Sequence, residues 1–191
     1  MLNIKDQFQR SKGFSLMEII MVLGLSSLVL LTIVSILRFT TNISTIVESQ
    51  DEVMLYGRYA IDYIKEEIKG SDLIISSEKF SNLDTMYPTN IGFVIMEDRG
   101  ESFTSDRYNF FTYYLKGDNL IRLAYNKHTK VYPEPSKLSG FNVLCEGVLS
   151  MEGTDIDFDN KLLKIELSLG SKQKEVHCFK TTLFLTSILD Y

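Results

Sequence analysis

The feature that most constrains this sequence is an apolar run of 24 residues, from Phe14 to Leu37, in which Glu18 is the only charged residue. As an α-helix this run would be about 36 Å long, at about 1.5 Å per residue. The hydrocarbon core of a bilayer is about 30 Å thick, so the run is long enough to cross it once. No other stretch of the sequence is apolar over a comparable length. The sequence therefore predicts one membrane-spanning helix near the N-terminus.

The residues that precede the apolar run are basic. Residues 1–13 contain three basic side chains and one acidic one, a net charge of +2, so that residues 14–191 carry −7 of the chain's total of −5. Because basic flanks stay in the cytoplasm, we expect a single-pass cell-membrane protein with a cytoplasmic N-terminus and an extracytoplasmic head. A cleavable secretory signal fits less well, since its apolar region is usually about 7–15 residues long. A plain membrane anchor is the other alternative.

The overall composition argues against several classes of protein. The net charge of −5 and the pI near 5.1 disfavour a protein that binds nucleic acid by bulk charge. Two histidines and two cysteines leave little material for a zinc site or for histidine-based catalysis. We therefore expect no enzymatic activity and no cofactor.

The segment Lys12–Glu18 places a basic residue, a glycine, an aromatic residue and an acid at a short, fixed spacing. It reads Lys-Gly-Phe-Ser-Leu-Met-Glu. This segment resembles the class III leader of type IV prepilins and pseudopilins. The resemblance implies that a prepilin peptidase/methyltransferase cuts between Gly13 and Phe14 and methylates the new amine of Phe14. It also implies the type IV pilin fold, an assembly role for Glu18, other pilin or pseudopilin subunits as partners, and a final location in a pilus at the cell surface.

Electrostatics supports the assembly role that the resemblance gives to Glu18. A charged side chain inside a membrane span costs several kcal/mol, by contested estimates. Cleavage after Gly13 would create a cationic amine at Phe14, which could lie near Glu18 of a neighbouring subunit. Opposite charges attract strongly in a medium of low dielectric constant, and this attraction offsets the desolvation of each charge. Such a pair would fix the axial register of neighbouring subunits.

The helical pattern continues well beyond the apolar run, because no strong helix stop follows Leu37 before Gly70. Over this stretch the positions of one face recur at alternating steps of four and three residues, as in a helix; they are Ile43, Val47, Gln50, Met54, Gly57, Ile61, Ile64 and Ile68. We predict one long helix over residues 14–69, with residues 14–37 in the membrane. Residues 38–70 form its amphipathic continuation, and the rest of the chain supplies the surface on which that continuation packs.

Residues 71–191 read as an antiparallel β head. The pattern of alternating apolar residues indicates a strand at 91–96, a hairpin from 109–115 and 120–125, and a second hairpin from 162–169 and 175–185. Shorter strands are predicted at 143–151 and 156–158. The expected fold class is α+β, a long N-terminal helix packed on an antiparallel sheet.

Two further segments resemble the J-type pseudopilins and the W-type minor pilins. They are residues 57–64, Gly-Arg-Tyr-Ala-Ile-Asp-Tyr-Ile, and residues 114–122, Tyr-Leu-Lys-Gly-Asp-Asn-Leu-Ile-Arg. This resemblance implies an initiating or tip-associated role. Major pilins commonly carry a proline in the span, but the matching position here is Ser35 and the first proline of the chain is Pro88. We therefore expect a minor pilin; the alternatives are a pseudopilin of a type II secretion or competence (DNA uptake) machine, and a tip adhesin or DNA receptor on the same scaffold.

Three groups of side chains in the head suggest sites, each with a simpler alternative. An oxidising exterior allows a disulfide between Cys145 and Cys178, against two free thiols. The acids fit the spacing of a calcium loop, but the flanking strands favour a solvated strand face and no metal; they are Asp155, Asp157, Asp159 and Glu166. A small basic patch would contact DNA only in a competence role, and otherwise is a solvated loop; it comprises Arg122, Lys127, His128 and Lys130.

Overall fold

The computed structural model describes residues 13–100, 107–170 and 175–191. The chain divides into two compact units, the first ending at Val47 and the second spanning Glu48–Tyr191. Apart from Gly13, the predicted leader lies outside the described residues. So does most of the loop between the strands of the second predicted hairpin.

A single helix, α1, runs from Leu16 to Lys69 without interruption. This confirms the long helix that the sequence predicts. At its start the N–H of Glu18 donates to the hydroxyl of Ser15 at 3.2 Å, so that Ser15 satisfies one of the free donors of the first turn. At its end the N–H of Gly70 donates to the carbonyl of Glu66 at 3.0 Å. The two ends therefore lie close to the residues that the sequence suggested.

In the first unit, every described residue is exposed. The most apolar 18-residue window of α1 has a mean hydropathy of 2.7, and none of it is buried within the protein. By its length and composition, α1 could cross a membrane. Among the described residues it is the one helix with this property.

The described part of the second unit contains residues 48–69 of α1, a short helix α2 at Leu83–Met86, and ten strands. The strands are β1 Leu73–Ser76, β2 Phe93–Asp98, β3 Tyr108–Lys116, β4 Asn119–Lys127, β5 Gly140–Cys145, β6 Val148–Ser150, β7 Asp155–Asp157, β8 Leu162–Gly170, β9 Val176–Phe184 and β10 Ile188–Asp190. Both predicted hairpins are present, as β3–β4 and β8–β9. The fold class is α+β, with a long N-terminal helix packed on mostly antiparallel sheets.

The first sheet has six strands in the order β10-β1-β2-β3-β4-β5. Its pairs are antiparallel except β1–β10, which are parallel. The prediction of a purely antiparallel head is therefore wrong at this edge. After β9 the chain returns to the first sheet, where its last strand, β10, lies beside β1. The two strands run in the same direction.

The second sheet is built on β8, which pairs with β9 along one edge and with β6 and β7 along the other. The sequence suggested one strand at 143–151, and this prediction is wrong. The chain turns at Gly147, whose φ of +75° favours glycine. Because of this turn, β5 joins the first sheet and β6 joins the second.

The main core lies where α1 meets both sheets. The helix contributes Ile61, Ile64 and Ile68 of the predicted stripe together with the neighbouring Val53 and Ala60, and the sheets contribute the inward-facing residues of their strands. The earlier part of the predicted stripe does not take part, because Ile43 and Val47 are 43% and 45% exposed. The residues of α1 that belong to this core therefore come from the C-terminal part of the helix.

The opposite face of the first sheet has its own apolar core. It is covered by the segments that connect β1 to β2 and β4 to β5, and Phe80, Leu83 and Leu138 pack there on alternate strand residues. Both faces of the central strands are thus covered, which explains why six consecutive residues of β3, Asn109–Tyr114, are buried.

Gly57 marks a close approach of α1 to the second sheet. A Cβ atom at this position would overlap three ring carbons of Phe179 on β9. The absence of a side chain at Gly57 therefore lets the aromatic ring lie directly against the helix backbone.

We predict that Gly57→Ala destabilises the head by about 1–3 kcal/mol, because overpacking outweighs the gain in helix propensity. The measurement is urea unfolding of the full chain in detergent micelles, followed by the near-ultraviolet circular dichroism of its tyrosines. A double-mutant cycle with Phe179→Ala provides the control, since the smaller side chain should relieve the clash. Equal losses for Gly57→Ala in both backgrounds would contradict the close-approach argument.

Candidate functional site

The segment predicted to be processed lies immediately before α1. Residues 13–15 are not helical and are exposed, and the side chain of Phe14 is 76% exposed. Glu18 lies in the first turn of the helix and is also exposed. The Gly13–Phe14 bond is therefore exposed and outside the helix, and the one acid of the apolar run lies in the first turn of the helix.

The hydroxyl groups of the apolar run are satisfied within the helix itself. Ser27, Thr32 and Ser35 donate to carbonyl oxygens three or four residues earlier at 2.7–2.8 Å, and Ser26 donates to the carbonyl of Val22. Such bonds allow Ser and Thr to lie in hydrocarbon without an unpaired donor. Glu18 is consequently the one strongly polar side chain of the run whose charge calls for a partner.

Within the head, a largely buried ion pair joins α1 to the first sheet. The guanidinium of Arg122 donates to the carboxylate of Glu67, with Nη2–Oε1 at 2.7 Å and Nε–Oε1 at 2.8 Å. The hydroxyl of Tyr113 donates to the other carboxylate oxygen of Glu67. The guanidinium also stacks over the ring of Phe111, 4.5 Å from its centroid. We refer to Glu67, Tyr113 and Arg122 as the helix clasp.

The register of the β3–β4 hairpin explains how the clasp is assembled. Tyr113 pairs directly with Arg122, and Leu115 pairs with Leu120, on either side of the turn at Gly117-Asp118. Directly opposed residues of antiparallel strands point to the same face, and here that face is the one covered by α1. The segment 114–122 was predicted as a hairpin, but its partner Glu67 was not, because the sequence does not show which helical acid lies over the hairpin.

Burial sets the electrostatics of the clasp. Arg122 is 9% exposed and Tyr113 is fully buried. Burial, reinforced by the negative charge of Glu67, raises the pKa of Tyr113 well above its usual value of 10.0. The phenol therefore stays protonated at neutral pH and acts as a donor to the carboxylate.

The clasp overturns the predicted basic patch of four residues. Arg122 is buried and paired with Glu67, so it does not belong to a surface with Lys127, His128 and Lys130. Arg122 is buried because it lies on the inward face of β4, where it meets the carboxylate of Glu67. Arg122 is therefore not part of a surface that could contact DNA, as the DNA-receptor alternative would require.

The two cysteines are free thiols and lie in different environments. Cys145 is buried in the main core, whereas Cys178 is exposed on the outer face of β9. The structure therefore does not bring the predicted pair together. Burial, with a smaller effect from Glu146, raises the pKa of the Cys145 thiol to about 11, so this thiol is protonated at neutral pH.

The four acids at calcium-loop spacing do not gather around one point. The carboxylate of Asp157 accepts the backbone N–H of Asn160 at 2.9 Å, and Glu166 accepts from Lys180 at 2.9 Å on the outer face of the second sheet. Asp155 and Asp159 do not join them in a cluster. Within residues 13–100, 107–170 and 175–191, no group of three metal-binding side chains is close enough to hold an ion.

Comparison of the chain with protein-family models, with curated proteins and with solved structures found no match.

We predict that Arg122→Met lowers the free energy of unfolding by about 3–5 kcal/mol, because it leaves the carboxylate of Glu67 buried without its charge partner. Adding Glu67→Gln should recover much of that loss. As a matched control, Lys65→Met removes the more exposed pair between Lys65 and Asp62, and should cost less than about 1 kcal/mol.

Chemical denaturation of the full chain in detergent micelles measures all of these variants on one scale. An Arg122→Met loss no larger than that of Lys65→Met would contradict the importance of the clasp.

Proposed function

We propose that this chain is a minor subunit of a type IV pilus or of a related pseudopilus, made as a membrane-bound prepilin and assembled through its N-terminal helix. The observation that carries the proposal is the lone Glu18 at the start of an exposed apolar helix, next to the Gly13–Phe14 junction. This arrangement supports a segment that is cut by a peptidase and then paired with a neighbour. The pilin fold and the extracytoplasmic position of the head are parts of the same proposal.

The need of Glu18 for a partner supports assembly over simple anchoring. A plain anchor gains nothing from an ionised side chain in its apolar run, and such a charge is costly in hydrocarbon. The amine that cleavage would create at Phe14 has the opposite charge and belongs to the same short segment. Pairing between subunits therefore satisfies both charges, and a buried pair of this kind acts mainly by fixing register.

The helix that carries Glu18 also contributes to the head. The element α1 spans Leu16–Lys69, and its last third is held in the head by apolar packing and by the clasp. The proposed assembly segment and the head core therefore share one element. The proposed partners are other pilin or pseudopilin subunits and the prepilin peptidase.

The uninterrupted helix also favours a minor subunit over a major one. The span contains no proline, and the backbone at Ser35 is helical. The net charge of −7 after the leader would also make identical copies repel one another at low salt over about a Debye length. Neighbours of different composition are easier to accommodate, which supports a few copies near the initiating end or tip.

The first test is the mature N-terminus. Mass spectrometry of the protein from its native host should find a chain that begins at Phe14 and carries one methyl group on its amine. The matched control is Gly13→Leu, which should leave residues 1–13 in place because the peptidase no longer accepts the junction. Assembled wild-type material that still begins at Met1 would contradict the proposal.

The second test concerns Glu18. Glu18→Ala should leave the protein in the membrane but lower the yield of crosslinks to neighbouring subunits about tenfold, as expected for an interaction of about 1.4 kcal/mol. Glu66→Ala serves as the control, because Glu66 is an exposed acid on the same helix outside the apolar run. Wild-type crosslinking in the Glu18 variant would refute the pairing of this charge with a neighbour.

A further inference from the structure

The outer edge of the first sheet is formed by β5, Gly140–Cys145. Among the described residues this strand pairs only with β4. The side chains of Phe141 and Val143 are 58% and 56% exposed, and Asn142 between them is exposed on the opposite face. Over residues 140–143, both faces and one edge of β5 are therefore open to a partner.

The hairpin register identifies which backbone groups of β5 point outward. Lys116 and Asn119 close a two-residue turn and form a hydrogen-bonded pair, after which bonded and non-bonded pairs alternate along β3 and β4. By this alternation Arg122 directs its N–H and C=O toward β5, where it faces Asn142. The N–H and C=O groups of Phe141 and Val143 then point away from the sheet, as donors and acceptors for a further strand.

Along residues 140–143 this edge lacks the charges and prolines with which proteins usually prevent edge pairing, and a register shift in its pairing with β4 falls beyond them, between Val143 and Cys145. Its residues are Gly-Phe-Asn-Val-Leu-Cys, with no charge and no proline, whereas lysines, prolines or very short strands commonly protect an edge. The opposite edge of the sheet fits that rule, since β10 is three residues long and carries Asp190. The outer strand of the second sheet carries Lys180.

An apolar groove lies beside the edge on the face of Phe141. It has a volume of about 540 Å³, and its aromatic and aliphatic lining includes Met86, Tyr87, Tyr114 and Phe141. A strand added next to β5 presents every second side chain to this face. The groove could therefore receive an apolar side chain of the added strand, which would give specificity beyond the backbone bonds.

The other face of the edge is acidic. Glu146 follows β5 directly and is exposed, and its charge acts on Tyr56 of α1. The hydroxyl of Tyr56 also donates to the carboxylate of Glu52 at 3.3 Å. Glu52, then burial and then Glu146 raise the pKa of Tyr56, so both carboxylates act on this phenol. Basic side chains of a partner would complement this face.

We propose that β5 binds an extended strand of a different subunit, with apolar side chains toward Phe141 and Val143 and basic side chains toward Glu146. This inference rests on the proposed function for the identity of the partner. The edge could also pair with β5 of a second copy by two-fold symmetry. In an antiparallel pair, residues 48–69 of the two α1 helices would run in opposite directions. In a parallel pair, the two helices would lie on opposite faces of the joined sheet. Neither suits subunits whose helices run side by side in one direction.

The test uses the full chain in detergent micelles and hydrogen–deuterium exchange resolved at single amides. The probe is an acetylated peptide of alternating valine and lysine, about six residues long, the usual length of a strand. It should slow exchange at Phe141 and Val143 about tenfold, which corresponds to about 1.4 kcal/mol of added protection. The amide of Asn142, which already faces β4, should not change.

Two control peptides distinguish strand addition from nonspecific binding. A valine–glutamate peptide should give no protection, because its acids would face Glu146. A valine–lysine peptide methylated on its backbone nitrogens should also fail, because it cannot donate to the edge. Equal protection by the methylated peptide, or no protection by the unmodified one, would overturn the proposal.

Two variants at one position complete the experiment. Val143→Pro removes an outward donor and should abolish protection at Phe141, while slow exchange at Asn142 reports that β5 is still folded. Val143→Thr keeps the donor and the branched shape, and should respond as the wild type does. Protection that appears without peptide as the protein concentration rises would assign the edge to a second copy and would also overturn the proposal.

This readout is independent of the proposed function. A chain that is cleaved at Gly13 but does not bind the peptide refutes only the strand site. A chain that binds the peptide but keeps residues 1–13 in its assembled form refutes the prepilin assignment and leaves the strand site in place.

Discussion

The packing of the last third of α1 against both sheets is the interaction on which the rest of the head depends. Neither sheet has a complete core alone, since the inward faces of β2, β3, β8 and β9 meet the same stripe of the helix. The residues that α1 contributes to this core run from Val53 to Ile68, and the strands that follow are arranged around them. Because apolar burial is the main favourable term in folding, removing this part of α1 would expose the inner faces of both sheets.

Two local features fix how the helix lies on that core. At Gly57 the missing side chain lets Phe179 approach the backbone, and at Glu67 the clasp joins the helix to β3 and β4. Apolar contacts are non-directional, so they tolerate small rotations of a helix, whereas a bidentate carboxylate–guanidinium pair does not. The glycine and the clasp lie nearly three turns apart and together define both the rotation and the height of the helix.

The two surfaces proposed for assembly use different physics in different surroundings. The segment from Phe14 to Glu18 would pair opposite charges inside the membrane, where an unpaired charge has a high desolvation free energy. This pairing would fix the axial register of neighbouring subunits. The β5 edge would pair backbone groups outside the membrane, and its groove and acidic face would select the partner. A subunit with two such surfaces can be placed by one and recognised by the other.

The sequence by itself determined the elements whose signals are local. The apolar run, the amphipathic repeat and the two-residue turn at Gly117-Asp118 predicted α1 and the β3–β4 hairpin, because periodicity and turn chemistry act within a few residues. The candidate processing segment is also purely local, since Gly13, Phe14 and Glu18 are neighbours in the chain. These predictions needed no knowledge of what the helix or the hairpin would contact.

Only the tertiary structure decided the pairings between distant parts of the chain. It divided residues 140–150 between two sheets, placed β10 parallel to β1, buried Arg122 beneath Glu67 and kept Cys145 apart from Cys178. Each of these outcomes depends on which faces meet across the core, and residues far apart in sequence carry no local sign of their partners. The same limit applies to the β5 edge, because a strand shows its pattern in sequence but not whether a neighbour lies on its far side.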